Sequence, residues 1–225
     1  MKIKDYLILG TASLLIGYVF ASIEVSTVKN LDPDTLVAEV PIDTTIDVKG
    51  KVALFIGDSH TSNHSAGWQK QLCDSVGFKM KNESVGGKTT YWMINQALYT
   101  INDDIDYCFV YGGANDMYGI ISPQAAIENI KGIARMCNAR NIKCIVLTGF
   151  DPVKCTSTKN PNYAKKYAMF QQLLMTEYMD GATVVDTRVV DKRDCWDELC
   201  HMAPSGHRKI ASKVIKDLKL KKVSK

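Results

Sequence analysis

Apolar residues along this chain fall into two alternating rhythms. Short runs rich in β-branched or aromatic residues, at positions 52–56, 79–85, 107–111, 143–148 and 183–186, predict strands. Between them, residues 67–76, 91–98, 123–140 and 163–179 carry helix-compatible patterns, and 204–218 follows the last run in the same way. Strand and helix taking turns predicts βαβ units with right-handed crossovers, hence an α/β domain with a parallel sheet covered on both faces. The chain shows no internal repeat or low-complexity tract.

The amino end stands outside this rhythm. Residues 6–23 are 18 uncharged, largely apolar positions preceded by Lys2 and Lys4. As a helix they would extend ~27 Å, close to the hydrocarbon thickness of a bilayer. The segment, residues 1–23 in all, therefore reads as a membrane anchor whose basic end stays in the cytoplasm, leaving the rest of the chain outside it, in a periplasmic or extracellular space. The alternative is a secretory signal peptide, since Val19 and Ala21 fit a small-residue cleavage pattern before Ser22. Residues 24–50 turn polar, with Pro33 and Pro41, and read as a linker with a reach on the order of 30 Å if flexible. Residues 51–225 are left for the folded domain.

Composition adds limits. With 225 residues, 46% hydrophobic and 23% charged, the chain is ordinary for a soluble globular protein with one sizeable core. Its net charge of +4 is mild, and lysines crowd the last stretch from Lys209 to Lys225. No aromatic residues interleave with them, so this is a solvated face and no nucleic-acid partner is expected. Of seven cysteines, Cys108 and Cys144 lie inside apolar strands, whereas Cys155, Cys195 and Cys200 fall in loops, where a disulfide can form in an oxidising space. An odd total without a Cys-x-x-Cys pair argues against structural zinc. Neither a G-x-G-x-x-G nor a Walker phrase follows the first strand, which argues against a nucleotide-binding domain of the same alternation.

The polar phrases at strand ends carry the chemistry. Gly57-Asp58-Ser59-His60 follows the first strand, Ser84-Val85-Gly86-Gly87-Lys88-Thr89-Thr90 the second, and Gly112-Gly113-Ala114-Asn115-Asp116 the third. Near the carboxyl end come Asp197-Glu198-Leu199-Cys200-His201 and Pro204-Ser205-Gly206-His207. In an open parallel sheet the carboxyl ends of strands face the ligand crevice, so an exposed hydroxyl such as that of Ser59 is placed to meet substrate.

With these blocks in this order, the chain resembles the SGNH hydrolases, which include the GDSL esterases and lipases, over roughly residues 51–218. The resemblance implies a flavodoxin-like three-layer sandwich on a five-stranded parallel sheet. It also implies a serine esterase that works on O-acyl esters through an acyl-enzyme, without metal or organic cofactor. Ser59 becomes the nucleophile and His201 its base. The backbone N–H groups of Ser59 and Gly87 and the side-chain amide of Asn115 form the oxyanion hole. The family's Asp-x-x-His spacing is altered here: Glu198 stands three before His201 and Asp197 four before. Spacing favours Glu198 as the orienting carboxylate, residue type favours Asp197, and a backbone carbonyl is a third option. His60 replaces the leucine of the commoner Gly-Asp-Ser-Leu phrase, a variant similar to that of SGNH domains that move or remove acyl groups on extracellular glycans. Asp58 is expected to shape the turn, and His64 and His207 to be structural or surface residues. Tyr91, Trp92, Tyr118 and Trp196 stand near the motif blocks as candidate pocket walls. An acyl-ester substrate on a glycan or lipid is thereby implied, with a carbohydrate O-acyltransferase and a non-catalytic carbohydrate- or lipid-binding module as alternatives.

Overall fold

The computed structural model describes residues 45–63, 65–155, 161–197 and 201–224. The apolar segment 1–23 and most of the linker lie outside the described residues, as do His64, Glu198 and Cys200. Among the described residues no helix is long and apolar enough to cross a membrane.

Five strands form one wholly parallel sheet: β1 (Val52–Gly57), β2 (Lys79–Asn82), β3 (Tyr107–Tyr111), β4 (Lys143–Leu147) and β5 (Thr183–Val185), in the order β2-β1-β3-β4-β5. The order reverses between β1 and β3, so their carboxyl ends flank the crevice where ligands bind in open α/β sheets. β1 and β3 are buried almost throughout because helices cover both faces. On one face α1 (Trp68–Val76) packs against the last helix, Pro204–Asp217; on the other, α2 (Thr90–Thr100) packs on α4 (Pro123–Asn138), which in turn meets α6 (Pro161–Thr176). The core is centred on Phe55 and Phe109, stacked at 5.0 Å across β1 and β3, with Trp68 edge-on at 5.4 Å from Phe55.

The strands and helices predicted between residues 51 and 218 are all present, with shifted ends. β2 stops at Asn82 rather than 85, yet Glu83 and Val85 still donate to the Phe55 and Gly57 carbonyls, so the chain stays paired with β1 without forming regular strand. α4 begins where Ser122 accepts from the Ala125 N–H with Pro123 in the first turn, and ends before Asn141, whose φ is +57°. Two short helices, α3 (Ala114–Tyr118) and α5 (Pro152–Cys155), and a 3₁₀ turn at Lys192–Asp194 occupy stretches with no helical pattern, being too short for periodicity to register. The helix Pro204–Asp217 is α7.

The linker boundary moves. Ile46 donates to the Lys219 carbonyl at 2.7 Å and accepts from Lys221 at 2.9 Å, and Val48 is fully buried. The packed domain thus includes residues 46–50, because one isolated valine in a polar stretch finds a place in the core that no periodicity announces.

Candidate active site

β1 ends in a turn so tight that its last residue must lack a side chain. A Cβ on Gly57 would lie 2.6 Å from the Tyr111 carbonyl oxygen and 2.8 Å from Thr61 Oγ1. Asp58, fully buried, closes the turn: its carboxylate accepts the His60 N–H at 3.0 Å, and its carbonyl accepts those of Thr61 and Ser62. Burial pushes the Asp58 carboxyl up to about 7. Ser59 is left at the crest.

The partner of Ser59 comes from the other end of the chain. His201 Nε2 stands 3.0 Å from Ser59 Oγ. On the far side of the ring, His201 Nδ1 meets Asp197 Oδ2 at 2.6 Å, while Asp197 Oδ1 accepts the His201 backbone N–H at 3.1 Å. Both carboxylate oxygens are therefore engaged by one residue, which fixes the ring plane as well as its tautomer. The loop that does this is clamped: Cys195 bridges Met202 in antiparallel fashion, Trp196 donates to the His201 carbonyl, and Ala203 donates to that of Asp194. Asp194 is itself anchored by Lys209 at 2.5 Å from α7.

Of the two carboxylates left open by the sequence, the one on the imidazole is Asp197; Glu198 lies outside the described residues. Asp197 meets the ring at a spacing of four rather than three, between the paired residues Cys195 and Met202. Cys155 and Cys195 sulfurs lie 3.9 Å apart, farther than the roughly 2 Å of a disulfide bond.

Gly87 and Asn115 face Ser59 across a shared cavity. Ser59, His60, Gly87, Ala114, Asn115, Tyr118, Tyr163 and His201 line a space of about 330 Å³, at the lower end of small-molecule sites. Gly87 has φ +75°, a conformation that turns successive N–H groups toward one side. The Asn115 amide donates to the Lys88 carbonyl at 3.0 Å, tying α3 to the glycine turn, and makes a long 3.4 Å contact to Asp58. The second hydrogen is thus weakly held.

A support that sequence reading missed lies beneath these donors. Asp116, fully buried, accepts both the Thr90 N–H (2.9 Å) and its hydroxyl (2.5 Å), and Asn129 donates to Thr90 Oγ1 at 3.0 Å. This locks the start of α2 to the start of α3. Thr90 and Asp116 are both in motif blocks, but 26 positions apart, and nothing local signals their pairing.

The remaining candidates separate. Tyr118 lines the cavity with Tyr163, edge to face at 5.3 Å, whereas Tyr163 drew no attention in the sequence because it shares the core-facing spacing of Tyr167 and Phe170. Tyr91 and Trp196 are largely exposed and outside the cavity lining, and Trp92 carries Lys88 over its ring at 5.7 Å. His207 is buried and accepts the Trp68 N–H at 3.1 Å, a structural role. His60 is 3% exposed and packed among Tyr111, Phe150 and His201, with centroid distances of 5.5, 5.1 and 5.4 Å.

Residues 55–209 match the GDSL-like lipase/acylhydrolase family. No curated protein sequence matches the chain. Among solved structures, an acetylxylan esterase from Geobacillus stearothermophilus aligns with a TM-score of 0.62 at 13% identity, over 78% of this chain and 99% of its own. A member of the lipolytic G-D-S-L family from Veillonella parvula gives 0.61 at 14%, over 74% and 97% of the respective chains. A GDSL-like lipase from Bacteroides thetaiotaomicron gives 0.61 at 14%, over 75% and 87%. At such identities the likeness is one of fold.

Proposed function

Because the chain belongs to the GDSL-like lipase/acylhydrolase family, we propose that it is a serine esterase working through Ser59, His201 and Asp197. The observation that carries this reading is the relay itself: Ser59 Oγ, the imidazole and the Asp197 carboxylate in line at 3.0 and 2.6 Å. A neutral hydroxyl is a poor nucleophile, and a base at hydrogen-bond distance is what activates it.

In this mechanism Ser59 Oγ attacks the ester carbonyl while His201 Nε2 takes its proton. The imidazolium is stabilised by Asp197, which stays ionised. The tetrahedral oxyanion is held by the N–H groups of Ser59 and Gly87 and by the Asn115 amide, whose weakly held hydrogen turns to it. Each such donor is worth roughly 3 kcal/mol of barrier. Collapse expels the alcohol, protonated by His201, and leaves an acyl-Ser59 ester. Water, deprotonated by the same base, then releases the acid.

The small cavity with its tyrosine wall favours a short acyl group, with acetyl esters of glycans as the substrate class. An acceptor hydroxyl in place of water would make the same site an O-acyltransferase. A binding module without catalysis drew its credit from the altered acidic position, and Asp197 supplies a carboxylate there. The reading extends to residues 1–23 as a membrane anchor holding the domain outside the cytoplasm, supported by their length and lack of charge. Hydrolysis of p-nitrophenyl acetate, with Ser59→Ala as control, tests the catalytic core. A loss of at least about a thousandfold is expected, because the relay acts as a unit. A variant within tenfold of the parent would refute the assignment.

A further inference from the structure

His60 is a buried, titratable residue of the cavity lining to which the mechanism gives no task. Its ring is held on three sides, by Tyr111 and His201 stacked on it and by Phe150 at a tilt. Its backbone N–H is spent on Asp58. Yet its Nδ1 is sealed from solvent without a hydrogen-bond partner, and Nε2, at the distal end of the ring, is not sealed in this way. Unsatisfied buried N–H groups are rarer in proteins than unsatisfied acceptors. Nδ1 is therefore assigned the lone pair and Nε2 the hydrogen. Burial also pushes the ring down to about 3, so it stays neutral over the working range of an esterase. The result is a rigid, uncharged donor in the wall of the cavity that Ser59 occupies.

Its neighbour shows which half of the substrate it meets. His201 must reach the leaving oxygen to protonate it, and His60 stacks on His201, with ring centroids 5.4 Å apart. The acyl oxygen is claimed elsewhere, by Gly87 and Asn115. Building on the esterase reading above, we propose that His60 is a substrate-binding donor: its Nε2–H takes a hydroxyl oxygen beside the leaving oxygen. The enzyme is thereby selective for monoesters of vicinal diols, the arrangement that sugars and other polyols offer. A plain alkyl ester leaves this donor unpaired and binds its transition state less well.

The test compares trans-2-hydroxycyclohexyl acetate with cyclohexyl acetate, which differ by one hydroxyl. The parent enzyme is expected to prefer the hydroxylated ester by about tenfold in kcat/KM, the worth of one hydrogen bond. His60→Phe and His60→Leu are expected to bring the ratio near one, whatever either does to the absolute rates; leucine is the family's commoner residue here, so the second variant stands if the first fails to fold. In the unsubstituted protein, adding trans-cyclohexane-1,2-diol should shift the His60 Nε2 resonance in a ¹⁵N spectrum. A ratio unchanged by both substitutions, equal losses on both esters from a parent without preference, or an unmoved resonance would each overturn the proposal. A parent enzyme inert toward both esters would instead refute the esterase reading beneath it.

Discussion

Gly57 and Tyr111 sit opposite each other at the ends of β1 and β3, so close that any Cβ on the first would press on the carbonyl oxygen of the second at 2.6 Å. This contact sets the height of the turn that carries Ser59. Gly57→Ala must push the two strand ends apart, and overpacking of this kind costs about 1–3 kcal/mol. A lowered melting temperature is expected, together with a fall in kcat out of proportion to any change in KM. An alanine variant with unchanged melting and turnover would show that the turn does not set the nucleophile's position.

The carboxylate behind His201 offers a ranked comparison. Asp197 holds both the ring Nδ1 and the backbone N–H of the base. Asp197→Asn presents the wrong group to the imidazole and cannot stabilise its cation, a change that costs on the order of 10⁴ in kcat in a comparable triad. Glu198→Gln is expected to cost little. Turnover of the two variants on one ester decides the matter, and the opposite ranking would transfer the role to Glu198.

Asp58 and His60 should give the fold opposite responses to pH. Burial raises Asp58 to about 7, so between an unfolded value of about 4 and that point the folded state keeps a proton the unfolded chain gives up. Its stabilising contribution is present at low pH and lost as pH rises through 7. Burial lowers His60 to about 3, so below an unfolded value of about 6.5 the unfolded chain gains a proton the folded state refuses, and stability is lost as pH drops from about 6.5 toward 3. Relative to the parent, Asp58→Asn should therefore melt higher at pH 8 than at pH 4, and His60→Phe the reverse. Melting curves at the two pH values check both signs, and parallel behaviour of the two variants would contradict them.

Removing residues 1–23 is expected to move the protein from the membrane fraction to the soluble one while leaving activity intact, since the packed domain begins near Ile46. Fractionation and amino-terminal sequencing of the full chain provide the check. A soluble product starting at Ser22 would identify a processed signal peptide instead.

Much of this was legible in the sequence because β-branched runs and strand-end motifs are local. Val52, Tyr107, Lys143 and Thr183 begin strands where their patterns begin. Ser59, Gly87, Asn115 and His201 could be nominated because each sits in a short motif block. What was not legible depends on distant approach. The Asp116–Thr90 lock joins two blocks, the contact of Asp197 with the His201 ring depends on how Cys195 and Met202 come together on either side of them, and Tyr163 is distinguished from its helical neighbours only by where α6 meets the cavity. The burial of Val48 is of the same kind.

That last region has a geometric corollary. Ile46 and Leu220 pair beside the amino-terminal ends of β3, β4 and β5, together with Tyr107, Lys143 and Thr183. The cavity opens at the carboxyl ends of the strands. Both routes into the domain thus meet at the pole opposite its mouth. The nearness of Ile46 and Leu220 makes the packed domain suited to insertion into a loop of another protein, with both junctions on the side away from the cavity mouth.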